Sequence, residues 1–207
     1  METKDSRLAL CEVRGLLGKI LDVLSGKLGR YWFDVFNKVL RKENPFTDRH
    51  WLIRTVRLGT YREKSLLCAD LTVQGKKLGN DALEIIYAPE FVLSPEEKDI
   101  DVTLITPEQL GFKEVVTQEA IFNRAFEIGL DLCPAELGPQ LRLQFTTQPE
   151  SDHHSVFIAM EPIAIKNGKM KMFSLNHHDE ALWLHGKSTY SESTYSTKVQ
   201  FIFCVRQ

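Results

Sequence analysis

The sequence has no long hydrophobic run, no paired cysteines and no export-signal pattern. No apolar stretch approaches the roughly 18 residues that a membrane-spanning helix needs, so no membrane partner is expected. Glu12 and Arg14 interrupt the apolar residues near the start, which departs from the basic-then-apolar order of a signal peptide. We therefore expect a cytoplasmic protein. The cysteines are scattered without a Cys-x-x-Cys pair, which predicts buried thiols and no zinc or redox motif: Cys11, Cys68, Cys133 and Cys204.

The motifs that mark common enzyme chemistry are also missing. We find no nucleophile elbow, phosphate-binding loop, zinc-ligand spacing or paired catalytic carboxylates. Apolar residues make up 43% of the chain and charged residues 26%, which is ordinary for a globular protein with a core. Residues 1–60 carry 12 Lys and Arg against 7 Asp and Glu, an asymmetry that suggests two regions with different partners. Because no basic cluster is longer than Arg41-Lys42, nucleic acid is not an expected partner.

Residues 1–48 are predicted to form a helical N-terminal region. Apolar residues recur at helical spacing and predict an amphipathic helix over residues 6–25: Leu10, Val13, Leu17, Ile20 and Leu24. A second helix is expected from Arg30 to Lys42, where Asn44-Pro45 stops it, and the glycines between the helices suggest a hairpin. The apolar stripe could dock a partner helix, form a homodimer or pack on its own domain.

Residues 49–110 are predicted to form a mixed α/β connecting region. Residues 51–58 favour a strand, and Thr60 with Glu63 has the spacing of a capping box that opens a helix extending to Val73. Asn80 is expected to cap a short helix over residues 81–87. Charged and apolar residues then alternate over residues 99–105, which indicates another strand.

Residues 111–207 are predicted to form a C-terminal α+β domain. A helix is expected over residues 117–128, with Gly129 as its left-handed C-cap. Residues 134–146 fit a helix and a strand equally well. Asn167-Gly168 is a hairpin signal that predicts antiparallel pairing of residues 156–165 with 169–175. Further short strands around residues 181–184 and 199–205 complete a predicted antiparallel sheet, so the fold class is α+β.

Several segments of the second half resemble known proteins. The segment Gly129–Leu137 and the ending Phe201–Arg206 resemble the C-type-lectin-like fold over about residues 110–207. The likeness is to its disulfide-poor bacterial branch, which includes sulfatase-modifying-factor-like domains and variable ligand-binding proteins. From Trp32 onward the chain is also similar to a group of short proteins of candidate-phylum bacteria. These share RKENP, LCPAE-GPQLRLQ and AMEPI segments, found here at 41–45, 132–144 and 159–163. The resemblance implies a bacterial source and a shared fold, and it carries no assigned activity.

A Ser/Thr/Tyr-rich tract over residues 187–197 is the candidate binding region. Tyrosine and serine surfaces make adaptable contacts at a low entropic cost, as antibody loops do. We therefore predict a non-enzymatic recognition protein that binds a protein or small-molecule ligand, with no metal or cofactor. The alternative is an ordinary exposed loop. The predicted binding residues are Trp183, Lys187, Tyr190, Ser191 and Tyr195.

Two other functions fit parts of the sequence. The run from His177 and His178 to Glu180, with His153-His154 upstream, contains the residue types that bind zinc, manganese or iron. A small metal-assisted hydrolase would use His177, His178 and Glu161, but adjacent strand residues point to opposite faces, which favours a solvated turn. Cys133 with His177 is a further nucleophile–base combination, although the flanking Leu132 and Pro134 favour a buried thiol. The third function is a helical adaptor that acts through residues 1–48.

Overall fold

The computed structural model describes residues 10–26, 29–40, 52–148 and 151–206. The chain divides into two compact units, Met1–His50 (with Gln207) and Trp51–Arg206. The first contains helices α1 (Leu10–Ser25) and α2 (Gly29–Leu40), so both predicted helices are present. The predicted ends at residues 6 and 42 lie outside the described residues, and the hairpin arrangement stays a prediction. None of the helices in the described ranges combines the length and the apolar character that crossing a membrane requires.

The second unit is built on a large mixed sheet. Its strands are β1 (Leu52–Leu58), β2 (Lys77–Leu78), β3 (Lys98–Ile105), β4 (Val116–Thr117), β5 (Leu130–Asp131), β6 (Ser151–Ile158), β7 (Ile163–Ala164), β8 (Met170–His178), β9 (Ala181–Ser188), β10 (Thr194–Tyr195) and β11 (Gln200–Val205). Within the described residues the main sheet has the order β1-β3-β11-β6-β8-β9-β2, with β5 paired to β11 and β7 paired to β8. β4 and β10 form a separate two-stranded ribbon.

The predicted C-terminal antiparallel sheet is confirmed only in part: β8 pairs antiparallel with β6, β7 and β9, but two other pairings of the sheet are parallel. β11 runs parallel to β6, and β2 runs parallel to β9. β11 lies between β3 and β6, where its residues 201–205 are buried. A continuous apolar run of this kind is typical of a strand covered on both faces. β1 and β3, from the predicted connecting region, therefore belong to the same sheet as the C-terminal strands.

Four helices accompany this sheet in the described part of the second unit: α3 (Lys64–Val73), α4 (Asn80–Tyr87), α5 (Gln118–Glu127) and α6 (Leu137–Gln144). α6 packs on Phe173, since a Cβ placed on Gly138 would lie 2.6 Å from the Phe173 ring. α5 packs on the other face, where the Phe122 ring makes edge-to-face contacts with the Phe201 and Phe203 rings. The strand register places Phe173 and Phe201 on opposite faces of the sheet. The sheet is thus sandwiched between α6 and α5.

α6 settles the competition between helix and strand at residues 134–146. Its residues 137–143 are all buried, so it shows no polar face from which a helical period could be recognised. Pro139 is tolerated because it lies in the first turn, where a backbone N–H has no partner within the helix.

Two predicted caps differ from the structure, while the third is confirmed. α3 begins after Glu63 with no side-chain cap, and the Thr60 hydroxyl instead accepts a 2.7 Å hydrogen bond from Gln140 Nε2. Gly79, and not Asn80, is the N-cap of α4. At α5 the Thr117 hydroxyl accepts a hydrogen bond from the Ala120 N–H, and the helix is followed by Gly129 at φ +85°. The predicted pairing across Asn167-Gly168 is also confirmed, with Ile163 opposite Lys171 and Val156 opposite Leu175.

Candidate functional site

Alternate residues of β9 form a surface on the face of the sheet opposite α4. A Cβ on Gly186 would lie 2.8 Å from Asp81 Cβ and 2.9 Å from Ile85 Cδ1, so even-numbered residues of β9 face α4. Strand alternation then directs Trp183, His185 and Lys187 to the other face. His178 shares that face because it lies opposite Ala181 in the β8–β9 register. We call His178, Trp183, His185 and Lys187 the β9 surface.

Three aromatic rings of the β9 surface lie parallel to one another. The Nε2 atoms of His178 and His185 are 3.4 Å apart, while their ring centroids are 5.7 Å apart with planes 5° from parallel. The two imidazoles therefore meet edge to edge. The Trp183 centroid lies 5.1 Å from that of His178 and 5.0 Å from that of His185, with both interplanar angles at or below 10°. The indole thus lies flat against a joined pair of imidazoles.

Neighbouring charges and burial act on this imidazole pair. His178 Nδ1 lies 2.9 Å from Asp179 Oδ2. Burial lowers the pKa of His185, the charges of Lys187 and His178 lower it further, and Asp81 opposes them. The backbone also approaches closely, because a Cβ on Gly79 would lie 2.6 Å from His185 Nδ1. Residue 79 therefore has to be glycine if the His185 ring is to keep its position.

Beyond Lys187 the chain enters the loop of residues 189–195, which is fixed by buried hydrogen bonds. The Thr189 side chain is fully buried, and its hydroxyl donates to Gln118 Oε1. The Tyr195 hydroxyl donates to the same oxygen at 3.1 Å and lies 3.2 Å from Thr189 Oγ1. The Tyr195 ring packs on Phe157 and Phe201, with centroids 5.4 and 5.0 Å away, and burial raises its pKa.

Backbone hydrogen bonds attach the same loop to the start of α5. The Gln118 N–H donates to the Ser193 carbonyl at 2.8 Å, and β10 pairs with β4 through Thr194 and Thr117. Inside the loop the Tyr190 N–H donates to Ser193 Oγ at 2.8 Å. Both ends and the middle of the loop are therefore held by the protein itself, which gives the loop a defined shape before any ligand binds.

The structure divides the predicted binding residues into two groups. Lys187, Tyr190 and Ser191 are exposed, with 52% of Tyr190 accessible to solvent. Trp183 and Tyr195 are partly buried and anchor the imidazole pair and the loop respectively. Sequence reasoning did not identify His185 or Gln118. The sequence signal for His185 is its alternation with Trp183 and Lys187, whereas no local signal marks Gln118.

We expect removal of the Tyr195 hydroxyl to loosen the loop without unfolding the protein. Tyr195→Phe loses the bonds to Gln118 and Thr189 and should cost about 1 kcal/mol of unfolding free energy, measured by urea denaturation. Amide hydrogen exchange should accelerate over residues 189–195. Tyr190→Phe is the control, because its exposed side chain should change stability by less than about 0.5 kcal/mol. Equal exchange rates in wild type and Tyr195→Phe would contradict the anchoring role.

The residues considered for metal or nucleophilic chemistry do not converge in the described structure. His177 lies on the opposite face of β8 from His178, and its Nδ1 is 2.6 Å from the Gln148 carbonyl oxygen. Glu161 is exposed to solvent. Cys133 is buried, and its thiol donates a 3.4 Å hydrogen bond to the Ile202 carbonyl oxygen. Burial raises the pKa of Cys133 well above its usual range, which makes the thiol unreactive. The side chains of His153 and His154 lie outside the described set, and in the rest no three His, Cys, Asp or Glu could hold a metal.

Two buried charged residues in the 132–144 segment have structural roles that the sequence did not reveal. The Glu136 carboxylate accepts hydrogen bonds from the backbone N–H groups of Gly59 at 2.8 Å and Ser94 at 2.7 Å. Arg142 is fully buried and donates to Gln148 Oε1 at 2.7 Å and to the Phe145 carbonyl. Burial lowers the pKa of Arg142 to about 10. Both side chains hold loops against the sheet.

An open cavity of about 480 Å³ lies between the end of α4 and the turn after β7. Its size falls in the range of small-molecule sites, and its lining includes Tyr87, Glu84 and Lys166. α4 packs on the face of β9 opposite the β9 surface, so the cavity is separate from that surface. Comparison of the chain with protein-family models, curated proteins and solved structures gave no match.

Proposed function

We propose that this is a non-enzymatic recognition protein whose ligand contacts the β9 surface and the loop of residues 189–195. The observation that carries the proposal is that some residues of the loop are fixed inside the protein while others are exposed to solvent. Thr189 and Tyr195 are held by Gln118 inside the protein, whereas Tyr190 and Ser191 remain exposed. A loop that is ordered before binding loses little conformational entropy when a ligand binds, which favours recognition.

The side chains on this surface favour a ligand with both an acceptor group and a flat or apolar face. Lys187 and the Ser191 hydroxyl can donate hydrogen bonds, and Lys187 adds a positive charge. Tyr190 and the ring pair on Trp183 offer aromatic contact area at a low entropic cost. Since Trp183, His185 and Lys187 alternate along β9, they form a row of roughly 13 Å that leads to the loop. This length suits a peptide segment or an extended small molecule.

Comparison of the molecules that co-purify with wild type and variants from the native host tests the proposal. Mass spectrometry should detect a ligand with wild type that is depleted at least about tenfold by Lys187→Ala with Tyr190→Ala, since the loss of about 1.4 kcal/mol of binding energy has that effect. Tyr87→Ala is the matched control, because Tyr87 is 57% exposed on α4 and lines the separate cavity. Loss of the ligand with Tyr87→Ala and its retention by the double variant would overturn the proposal.

A helical adaptor remains the second candidate, because α1 exposes apolar side chains one turn apart. Leu17 is 54% and Leu21 is 66% exposed, and such pairs are typical of a stripe that docks a partner helix. In the same co-purification experiment, Leu17→Lys with Leu21→Lys should leave the ligand of the β9 surface in place. Loss of all partners in this variant would favour the adaptor. The cytoplasmic location, the lectin-like fold and membership of the candidate-phylum group stay predictions alongside this proposal.

A further inference from the structure

The gap between the two histidines of the β9 surface has room for one proton. Their Nε2 atoms are 3.4 Å apart and directed at each other, which is the geometry of a single N–H···N hydrogen bond. A neutral imidazole has one N–H and one bare nitrogen, whereas an imidazolium has two N–H groups. The two rings can therefore form a hydrogen bond with each other when the pair is neutral or carries one extra proton. When both rings are protonated, two N–H groups and two positive charges oppose each other.

The two rings have different surroundings. Asp179 Oδ2 lies 2.9 Å from His178 Nδ1. The pKa of His185 is lowered by burial and by the charges of Lys187 and His178, so protonation of this ring is disfavoured. Asp81 is the carboxylate that acts on His185 in the opposite direction.

Trp183 is positioned to respond when the pair separates. Its ring lies against both imidazoles, and its Nε1–H is buried with no hydrogen-bond partner among the described residues. A buried donor without a partner is unfavourable compared with one that reaches water. His178 already has 27% of its side chain accessible to solvent, so movement of this ring would admit water to the indole.

We infer that His178 and His185 form a proton-controlled clasp over Trp183, which is closed while one proton lies between the rings and opens when a second is bound. Opening replaces a flat aromatic surface, formed by the joined rings, with two separated cations and an accessible indole. The inference rests on the proposed function for its effect on ligand binding, but the opening itself is a property of the protein without ligand. The affinity of the β9 surface for its ligand should therefore decrease as the pH falls.

The direction of the stability effect follows from the lowered pKa of His185. Because the unfolded chain binds a proton at this residue more readily than the folded one, the contribution of neutral His185 is fully present above the unfolded pKa of about 6.5. That contribution is lost as the pH falls from this value through the lower pKa of the folded state. Acidification should thus favour opening.

NMR titration of the ¹⁵N-labelled full chain from pH 8 to pH 4, with a chelator present, tests the clasp. In wild type, the Trp183 indole N–H signal should shift with the same midpoint as the His185 ring nitrogens. In His178→Gln, the midpoint of His185 should rise by at least about 0.5 pH unit, because the neighbouring positive charge is gone. His177→Gln is the matched control, since this adjacent residue faces the other side of β8, and it should leave the His185 midpoint unchanged.

Two results would overturn the clasp. One is a Trp183 signal that does not follow the His185 titration in wild type, which needs no substitution and so does not depend on the folding of a variant. The other is an unchanged His185 midpoint in a folded His178→Gln protein. Neither measurement involves a ligand, so failure of the clasp and failure of the proposed recognition function are distinguishable.

Discussion

Glu136→Ala is expected to destabilise the protein by about 3–5 kcal/mol, because it leaves one buried and one partly buried backbone N–H group without an acceptor. The carboxylate receives hydrogen bonds from Gly59 and Ser94 at 2.8 and 2.7 Å, and a third from Gln140 Nε2 at 3.2 Å. It thereby joins the end of β1 and the segment before β3 to the start of α6. The change in unfolding free energy can be measured from the urea midpoint at a fixed slope.

Two further variants show whether the loss comes from these particular bonds. Glu136→Gln keeps one acceptor oxygen but turns an NH₂ group toward the other N–H, so its cost should lie between those of wild type and alanine. Glu161→Ala removes an exposed carboxylate and should change stability by less than about 0.5 kcal/mol. Equal losses of stability in Glu136→Ala and Glu161→Ala would contradict a stabilising role of the Glu136 hydrogen bonds.

Gly59→Ala should destabilise the protein by about 4 kcal/mol or more, because the backbone conformation of residue 59 disfavours a side chain and its surroundings leave no room for one. Gly59 has φ +74°, in the left-handed region that favours glycine, and an added Cβ would overlap the carbonyl oxygen of Glu96. The same residue donates its N–H to Glu136, so displacing its backbone would also weaken that bond.

Gly75 provides a matched control for Gly59. It has φ +73° but nothing within 4 Å of an added Cβ, so Gly75→Ala should cost only the conformational part, about 1–2 kcal/mol. Thermal and urea unfolding of the two variants should therefore give clearly different stabilities. Similar losses of stability in Gly59→Ala and Gly75→Ala would contradict the expected contribution of the clash with Glu96.

Local features of the sequence predicted most of the individual elements. Strand alternation located β3, the Asn167-Gly168 turn located the β7–β8 connection, and Thr117 marked the start of α5. These signals work because each depends on residues close together in the chain. α6 was ambiguous because it is buried on every side. The predicted helix cap at Thr60 was wrong because the Thr60 hydroxyl accepts a hydrogen bond from Gln140, which belongs to α6.

The order of the strands could not be obtained in this way. β11 pairs with β3 and with β6, which lie far from it in sequence, and local periodicity contains no information on such pairings. The predicted antiparallel sheet followed from the single hairpin signal that the sequence offers. The parallel contacts of β11 with β6 and of β2 with β9 require the tertiary arrangement.

The candidate site was predicted in part for a related reason. Trp183, Lys187 and Tyr190 were identified from composition, but His178 was grouped with its neighbour His177. The β8–β9 turn places Asp179 and Glu180 at φ +50° and +55°, a conformation usually signalled by Asn-Gly or Asp-Gly. Because Asp-Glu is not such a signal, the register that brings His178 to His185 was not predicted.

A photo-crosslinking amino acid at position 190 gives the most direct test of the claim that the fixed loop presents the binding residues. The same group is placed at position 87 for comparison, and both proteins are irradiated in the native host and examined by mass spectrometry. We expect a discrete adduct at position 190 that disappears with Lys187→Ala, and none at position 87. An adduct at position 87 alone, or none at position 190 in a correctly folded protein, would contradict the account.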